Sequence, residues 1–264
     1  RLLRISMTVS TGVFSLNFVT FVIKLKGRMV EYKASMTNEE VNDLPLTAFG
    51  GDIVVVDSDD QREAADYLSS QKLVGFDTES RATFVKGVHN TISLVQLSGP
   101  DRAYLFRVNI CPLSPEVVKV LQSRSIVKVG LAISDDINRL RTVNPSLYPH
   151  GFVDLQSIVG RFGIKELGLK KISAIVLGSR ISKAQRLSNW NAVNLTEAQR
   201  VYAATDAWVC REIYQSLMTA EKEGYTPVSV DEQGAVETVE ERPARTDGRK
   251  RRRFRRRRKR DDSE

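Results

Sequence analysis

The sequence predicts an α/β domain built on a mixed β-sheet flanked by helices. Three observations predict it. At 264 residues, 41% of them hydrophobic, the chain is long enough to bury one sizeable core. Short apolar runs bounded by turn signals crowd its first half, and after them comes an alternation of strand and helix patterns. A long helical stretch follows, and strands first, alternation next and helices last is the order of a sheet covered by helices.

Ile53-Val54-Val55-Val56 reads as a short strand and Gln61 to Leu68 as a helix. Leu73 to Thr78, Ile92 to Leu97 and Ala103 to Phe106 read as three neighbouring strands. Gly87 and then Gly99-Pro100-Asp101 supply the turn signals between them. Ser114-Pro115 starts a helix with a capping residue and a proline at the first position, where the missing N–H is no loss. Ile126 to Val129 is a further strand, the stretch from Asp136 a helix, and Phe152-Val153 a last short strand. From Asp154 to Glu223 the pattern reads as almost wholly helical. No internal repeat is present.

These elements place the domain at residues 51–224. Residues 1–50 form an N-terminal extension. Within it Val13 to Leu25 is apolar, but Ser15, Asn17, Thr20 and Lys24 interrupt the run and it is short for a bilayer span. A signal peptide or anchor is one reading of that segment; the preferred one is that residues 1–28 lie upstream of the natural start, with Met29 or Met36 near it, and no stable membrane association is expected. After Gly224 the composition turns to Pro, Gly, Thr, Glu and Arg without apolar periodicity, so residues 225–264 are expected to be a disordered basic tail.

The formal net charge of +8 is an average over unlike parts. The run from Arg249 to Arg260 holds eleven of the forty Lys and Arg residues, which leaves 29 basic against 32 acidic side chains elsewhere. A mildly acidic body with a cationic tail can bind polyanions through the tail and still keep an acidic cleft. In the tail, Arg251 and Arg255 are candidates for non-specific phosphate contacts, and Phe254 for one stacking contact.

Composition also excludes chemistries. Cys111 and Cys210 are the two cysteines, nearly a hundred residues apart, so neither a disulfide framework nor a cysteine-based zinc site fits. They read as buried small hydrophobes in a reducing, cytoplasmic setting. With His89 and His150 as the only histidines, Ser-His-Asp, Cys-His and histidine-rich metal sites are disfavoured. No GxxxxGK[ST] loop occurs, so a nucleotide-driven motor is not encoded here. What remains is carboxylate chemistry.

Three acidic motifs carry it. Asp77 and Glu79 stand two apart at the end of an apolar strand, so both point to one face; a solvated strand end is the plain alternative. Asp136 lies just past the strand that ends at Gly130. There it, or Asp135, also suits a first-turn capping role. Because Asp136 keeps a four-residue step to Leu140, it is preferred as the functional acid. Tyr202 and Asp206 are four apart and share a helix face, on a helix that Thr196 can cap. Ala203, Ala204 and Ala207 beside them let that helix lie close to the sheet and turn the pair inward. Hard divalent ions prefer carboxylate oxygens, and two such ions ~4 Å apart suit phosphodiester hydrolysis.

The motifs resemble those of the DEDD superfamily of 3′–5′ exonucleases, in the tyrosine-containing (DEDDy) branch with ribonuclease D and the Werner-syndrome helicase exonuclease domain. Phe76-Asp77-Thr78-Glu79 is similar to the first motif, and Val129-Gly130 through Asp136 to Leu140 to the second. Leu187-Ser188-Asn189-Trp190, Leu195-Thr196, Gln199 and Tyr202 to Trp208 are similar to the third. The resemblance covers residues 50–220. It implies a ribonuclease-H-like fold, two Mg²⁺ or Mn²⁺ ions, and hydrolysis of nucleic acid (DNA or RNA, single-stranded or 3′ ends) to nucleoside 5′-monophosphates. It also implies roles. Asp77 would bridge both ions, Glu79 and Asp206 would complete one, and Asp136 would act through water or at the rim. Tyr202, a poor base at a phenol pKa of about 10, would orient the attacking water. The alternative function is a non-catalytic nucleic-acid-binding module that keeps the fold.

Lys183, Arg186 and Trp190 precede the third motif and are candidates to touch a substrate phosphate or stack a base; solvated charges and a core indole are the plain alternatives. Gln96 is expected to satisfy backbone groups inside its strand, and Asp154 to cap a helix.

Overall fold

The computed structural model describes residues 31–81 and 91–225, with the backbone of residues 229–230 and 236–237. The chain divides into two compact units, residues 1–31 and 32–264, and the elements below belong to the second. Six strands form one sheet: β1 (Asp52–Val56), β2 (Leu73–Ser80), β3 (Ile92–Ser98), β4 (Arg102–Phe106), β5 (Val127–Gly130) and β6 (Phe152–Asp154). Their spatial order is β1-β4-β3-β2-β5-β6. β3 pairs antiparallel with both β2 and β4, while the β1–β4, β2–β5 and β5–β6 pairs are parallel, so the sheet is mixed as expected.

Alternation along β2 assigns its two faces. Val74 and Phe76 are fully buried in a core shared with Leu68, Val117, Leu121 and Leu140. Those partners come from α2 (Arg62–Ser70), α3 (Pro115–Gln122) and α4 (Ser134–Val143). The capping residue of α3 is Ser114, whose Oγ accepts from the Val117 N–H, with Pro115 at the first position. Gly75, Asp77 and Glu79 turn the other way. That face is covered by α7 (Glu197–Lys222), which Thr196 opens in a reciprocal capping box with Gln199.

The stretch from Asp154 to Glu223, expected to be almost wholly helical, is helical in three pieces. The first is α5 (Gln156–Val159), running into a 3₁₀ turn at Gly160–Phe162; α6 (Leu169–Leu177) and α7 are the others. Gly163 and Gly178, at φ of 73° and 65°, stop the first two in the left-handed conformation. Residues 179–196 are irregular because polar side chains compete for the backbone. Ser182 Oγ accepts from the Ala184 N–H and Asn189 Oδ1 from the Asn191 N–H. The buried Arg107 guanidinium donates to the carbonyls of Ala192 and Val193, pinning this loop to the sheet.

Residues 32–50, read with the N-terminal extension, pack on the body. A short helix, α1 (Asn38–Asn42), opens with a Thr37–Glu40 capping box, and Met36 and Val41 bury against Ala174 of α6. The Phe49 N–H donates to Thr205 Oγ1 at 3.0 Å. Ser229–Val230 and Val236–Glu237 form a two-stranded antiparallel pair (β7 and β8) inside the stretch expected to be a disordered tail. Among the described residues no helix is long and apolar enough to cross a membrane.

Candidate active site

The site is made where α7 crosses β2. Gly75 lets the helix in: a Cβ there would fall 1.8 Å from the Ala207 carbonyl oxygen, so no side chain can stand between strand and helix. One step further on the same strand face is Asp77, and one residue back on the helix is Asp206. Asp77, Glu79 and Asp206 each offer a carboxylate oxygen within 4.8 Å of the others.

Asp136 arrives from α4. Its Oδ1 accepts from Thr78 Oγ1 at 2.6 Å, tying the start of α4 to the end of β2. The chain between β5 and α4 turns through Ala132 at φ 55°, a left-handed conformation unusual for alanine. Asp154 holds that turn. Its carboxylate accepts from the N–H groups of Ala132 at 3.0 Å and Ile133 at 3.2 Å, and caps the following helix at the Gln156 N–H, 2.9 Å away. Of the two adjacent acids, Asp136 is half-buried and points to β2, while Asp135 is exposed.

Negative charge is crowded in this group. Burial pushes the Asp77 and Glu79 carboxyls well above the ordinary carboxylate range, and the charges of the neighbouring acids add to the shift. Burial also raises Asp206, though the Tyr202 hydroxyl and the Lys183 ammonium favour its charged form. Packing three carboxylates together in a poorly solvated site is unfavourable unless they are protonated or share a cation. All are hard oxygen donors, so the set fits Mg²⁺ or Mn²⁺ and not a thiophilic metal.

Tyr202 sits one helical turn before Asp206 and is 8% exposed. Burial first, then the charges of Asp206 and Glu79, raise its pKa far above that of a free phenol, so it is a neutral hydroxyl at any physiological pH. Beneath it lies Trp190, ring centroids 6.0 Å apart. Trp190 is fully buried and offers no face to a base; its place is in the core under Tyr202. Lys183 and Arg186 do face the site, lining with Asp77, Tyr202 and Asp206 a cleft of about 230 Å³. Gln96 is buried opposite Asp77 in the sheet register, but neither of its side-chain polar atoms has a hydrogen-bond partner among the described residues. The ladder already satisfies the backbone groups it was expected to serve. Arg251 and Arg255 lie outside the described residues.

Sequence reasoning missed Gly75, whose signal was a glycine inside an apolar strand, and Arg139. The Arg139 guanidinium donates to Asp136 Oδ1 at 2.8 Å, to the Asp135 carbonyl at 3.4 Å and to Ser80 Oγ at 3.5 Å. Its only sequence signal was a three-residue step after an acid.

Comparison with known proteins bears on the family and the fold. A family model described as 3′-5′ exonuclease matches residues 53–220. The chain is 32% identical over 205 residues to the bifunctional 3′-5′ exonuclease/ATP-dependent helicase WRN of Mus musculus, covering 71% of this chain and 14% of that protein. It is 30% identical over 186 residues to ribonuclease D of Gluconacetobacter diazotrophicus, covering 67% and 45%. The chain thus spans less than half the length of these curated relatives. Among solved structures, the Aedes aegypti Nibbler EXO domain superposes with TM-score 0.61 at 26% identity, covering 69% of this chain and 95% of that one. Escherichia coli RNase D superposes with TM-score 0.58 at 23% identity, covering 67% and 47%, a likeness of fold. The mixed sheet with helices on both faces is the ribonuclease-H-like arrangement.

Proposed function

Because the chain belongs to the 3′-5′ exonuclease family, we propose that it removes mononucleotides from the 3′ ends of nucleic acid by metal-dependent hydrolysis. The observation that carries this reading is the convergence of Asp77, Glu79 and Asp206 within 4.8 Å. Asp77, Glu79 and Asp206 would hold one divalent ion, and Asp77 with Asp136, directly or through water, a second; Mg²⁺ and Mn²⁺ both suit these ligands. Divalent ions held there would supply acidification of water and stabilisation of the attacking and leaving oxygens of a displacement at phosphorus.

The chain's own groups supply orientation. Tyr202, a neutral hydroxyl fixed between Trp190 and Asp206, hydrogen-bonds the attacking water and aligns it with the terminal phosphodiester. As water's oxygen bonds to phosphorus, the bond to the 3′-oxygen of the penultimate nucleotide breaks. That oxygen takes up a proton, and a nucleoside 5′-monophosphate leaves. Lys183 and Arg186, on the cleft wall, contact phosphates of the incoming strand. The substrates are single-stranded or recessed 3′ ends of DNA or RNA, and the Arg249–Arg260 run acts as a sequence-independent tether whose contribution falls with salt. The two buried, unpaired cysteines agree with a reducing compartment such as the cytoplasm.

Linear and circular single strands of one sequence test the assignment, with products read by chromatography. Mononucleotides from the linear strand and an intact circle are expected. Cleavage of the circle would make the activity endonucleolytic, and no product from either would leave a binding module.

A further inference from the structure

The four acids of the site are not equivalent. Asp77, Glu79 and Asp206 crowd one another within 4.8 Å, whereas Asp136 is already partnered by a cation of the chain itself. Arg139, one helical turn beyond Asp136 on α4, places Nη2 2.8 Å from Asp136 Oδ1. Thr78 donates to the same oxygen, so Oδ1 is held by a hydroxyl from the sheet and a guanidinium from the helix together. The rest of the Arg139 fork is loosely placed, 3.5 Å from Ser80 Oγ and 3.4 Å from the Asp135 carbonyl.

The pair is built to exchange. Its side chains are 34% and 13% exposed, so the guanidinium keeps water on one side while the carboxylate is largely enclosed. Ion pairs of this half-exposed, i,i+3 kind shift an equilibrium only about two- to fivefold. That is little against a divalent ion, which binds carboxylate through charge and directed coordination together. A fully buried bridge would resist such displacement, because breaking it strands a charge. Here the freed guanidinium can turn to water.

Resting on the two-ion reading of the site, we infer that Arg139 is a built-in competitor for Asp136, which the second divalent ion must displace. The two ions therefore bind unequally. The first enters the Asp77–Glu79–Asp206 group, and the second binds more weakly because it exchanges with Arg139. Arg139 is thus a positioning residue that sets the divalent-ion concentration at which the site becomes complete.

Calorimetric titration of the full chain with Mn²⁺ alone, without substrate, tests this. The wild-type chain is expected to show a stronger and a weaker step, and Asp136→Asn to lose the weaker one selectively. Arg139→Gln should tighten the weaker step about two- to fivefold, in line with a half-exposed ion pair, and leave the stronger step unmoved. Arg139→Lys, which keeps the charge without the fork, should lie between and serves if the glutamine variant does not fold. A weaker step unchanged or loosened in both Arg139 variants would overturn the inference while leaving the two-ion reading intact. Absence of any Mn²⁺ step in the wild-type chain would overturn that reading and this inference with it.

Discussion

Gly75 and Ala207 touch backbone to backbone: the space a Cβ on Gly75 would need lies 1.8 Å from the Ala207 carbonyl oxygen. This contact sets the height of α7 above β2 and brings Asp206 beside Asp77. Gly75→Ala therefore has to push the helix away. Overpacking of this kind costs about 1–3 kcal/mol, and a shift of 1 Å at the site is enough to lower turnover about 100-fold. Denaturant unfolding and turnover on one preparation check this. The expected result is a loss of turnover, in chain that remains folded, much greater than the loss of stability.

Charge crowding makes the metal-free protein sensitive to pH. The folded-state pKa of Asp206 is raised to about 7 by burial. A raised carboxyl contributes stability that is complete below its unfolded pKa and is lost as pH rises through the folded value. In chelator, the melting temperature should thus fall between pH 5 and pH 8, and saturating Mg²⁺ should restore it. Asp206→Asn should flatten the chelator profile, raise the metal-free melting temperature at pH 8 and abolish most of the Mg²⁺-dependent rise. Thermal melts with and without Mg²⁺ read all three effects.

Tyr202 should matter to turnover and not to metal. Tyr202→Phe keeps the ring against Trp190 and removes the hydroxyl, so the Mg²⁺-induced rise in melting temperature should persist. Loss of one orienting hydrogen bond is expected to lower kcat about 10- to 1,000-fold with KM little changed. Because the hydroxyl stays protonated in the wild-type chain, the pH–rate profile below pH 10 should keep its shape in the variant.

Lys128 gives a test of the fold away from the site. Its buried ammonium donates to the carbonyls of Ser123 at 2.6 Å and Ile126 at 2.8 Å, and lies 5.2 Å from the centre of the Phe152 ring. Burial nonetheless lowers its pKa to about 8. For a lowered pKa the unfolded chain binds more protons between the two values, so this residue's contribution to stability rises from about pH 8 to its ordinary value near 10.5. Lys128→Met should lose about 1–3 kcal/mol at pH 7 by stranding the two carbonyls. Its deficit relative to the wild-type chain should widen above pH 8.

Most of the site was legible because its geometry is local. Two residues apart on a strand fixes a common face for Asp77 and Glu79, and four apart on a helix does the same for Tyr202 and Asp206; both pairs converge. Strands were legible for the same reason, their apolar runs being short and bounded by glycine, proline and aspartate. The irregular loop 179–196 was not, because serine and asparagine side chains that cap the backbone there look, as a string, like the polar face of a helix. The choice between Asp135 and Asp136 needed Thr78, 58 residues away, to show which acid faces the strand. Trp190 reads more readily as core than as platform, and its burial under Tyr202 places it in the core. The α1 capping box, Thr37 with Glu40, was readable and went unread because the whole segment was taken as an extension.

The most direct test of the central claim is a time course on 5′-labelled single-stranded DNA and RNA of matched sequence, with Mg²⁺, Mn²⁺ or chelator, for the wild-type chain and Asp77→Ala. A ladder that shortens from the 3′ end only with metal and only in the wild-type chain is predicted, the faster polymer naming the substrate. Equal shortening by Asp77→Ala, or a substrate that stays intact with metal while shifting in a salt-sensitive complex, would contradict it.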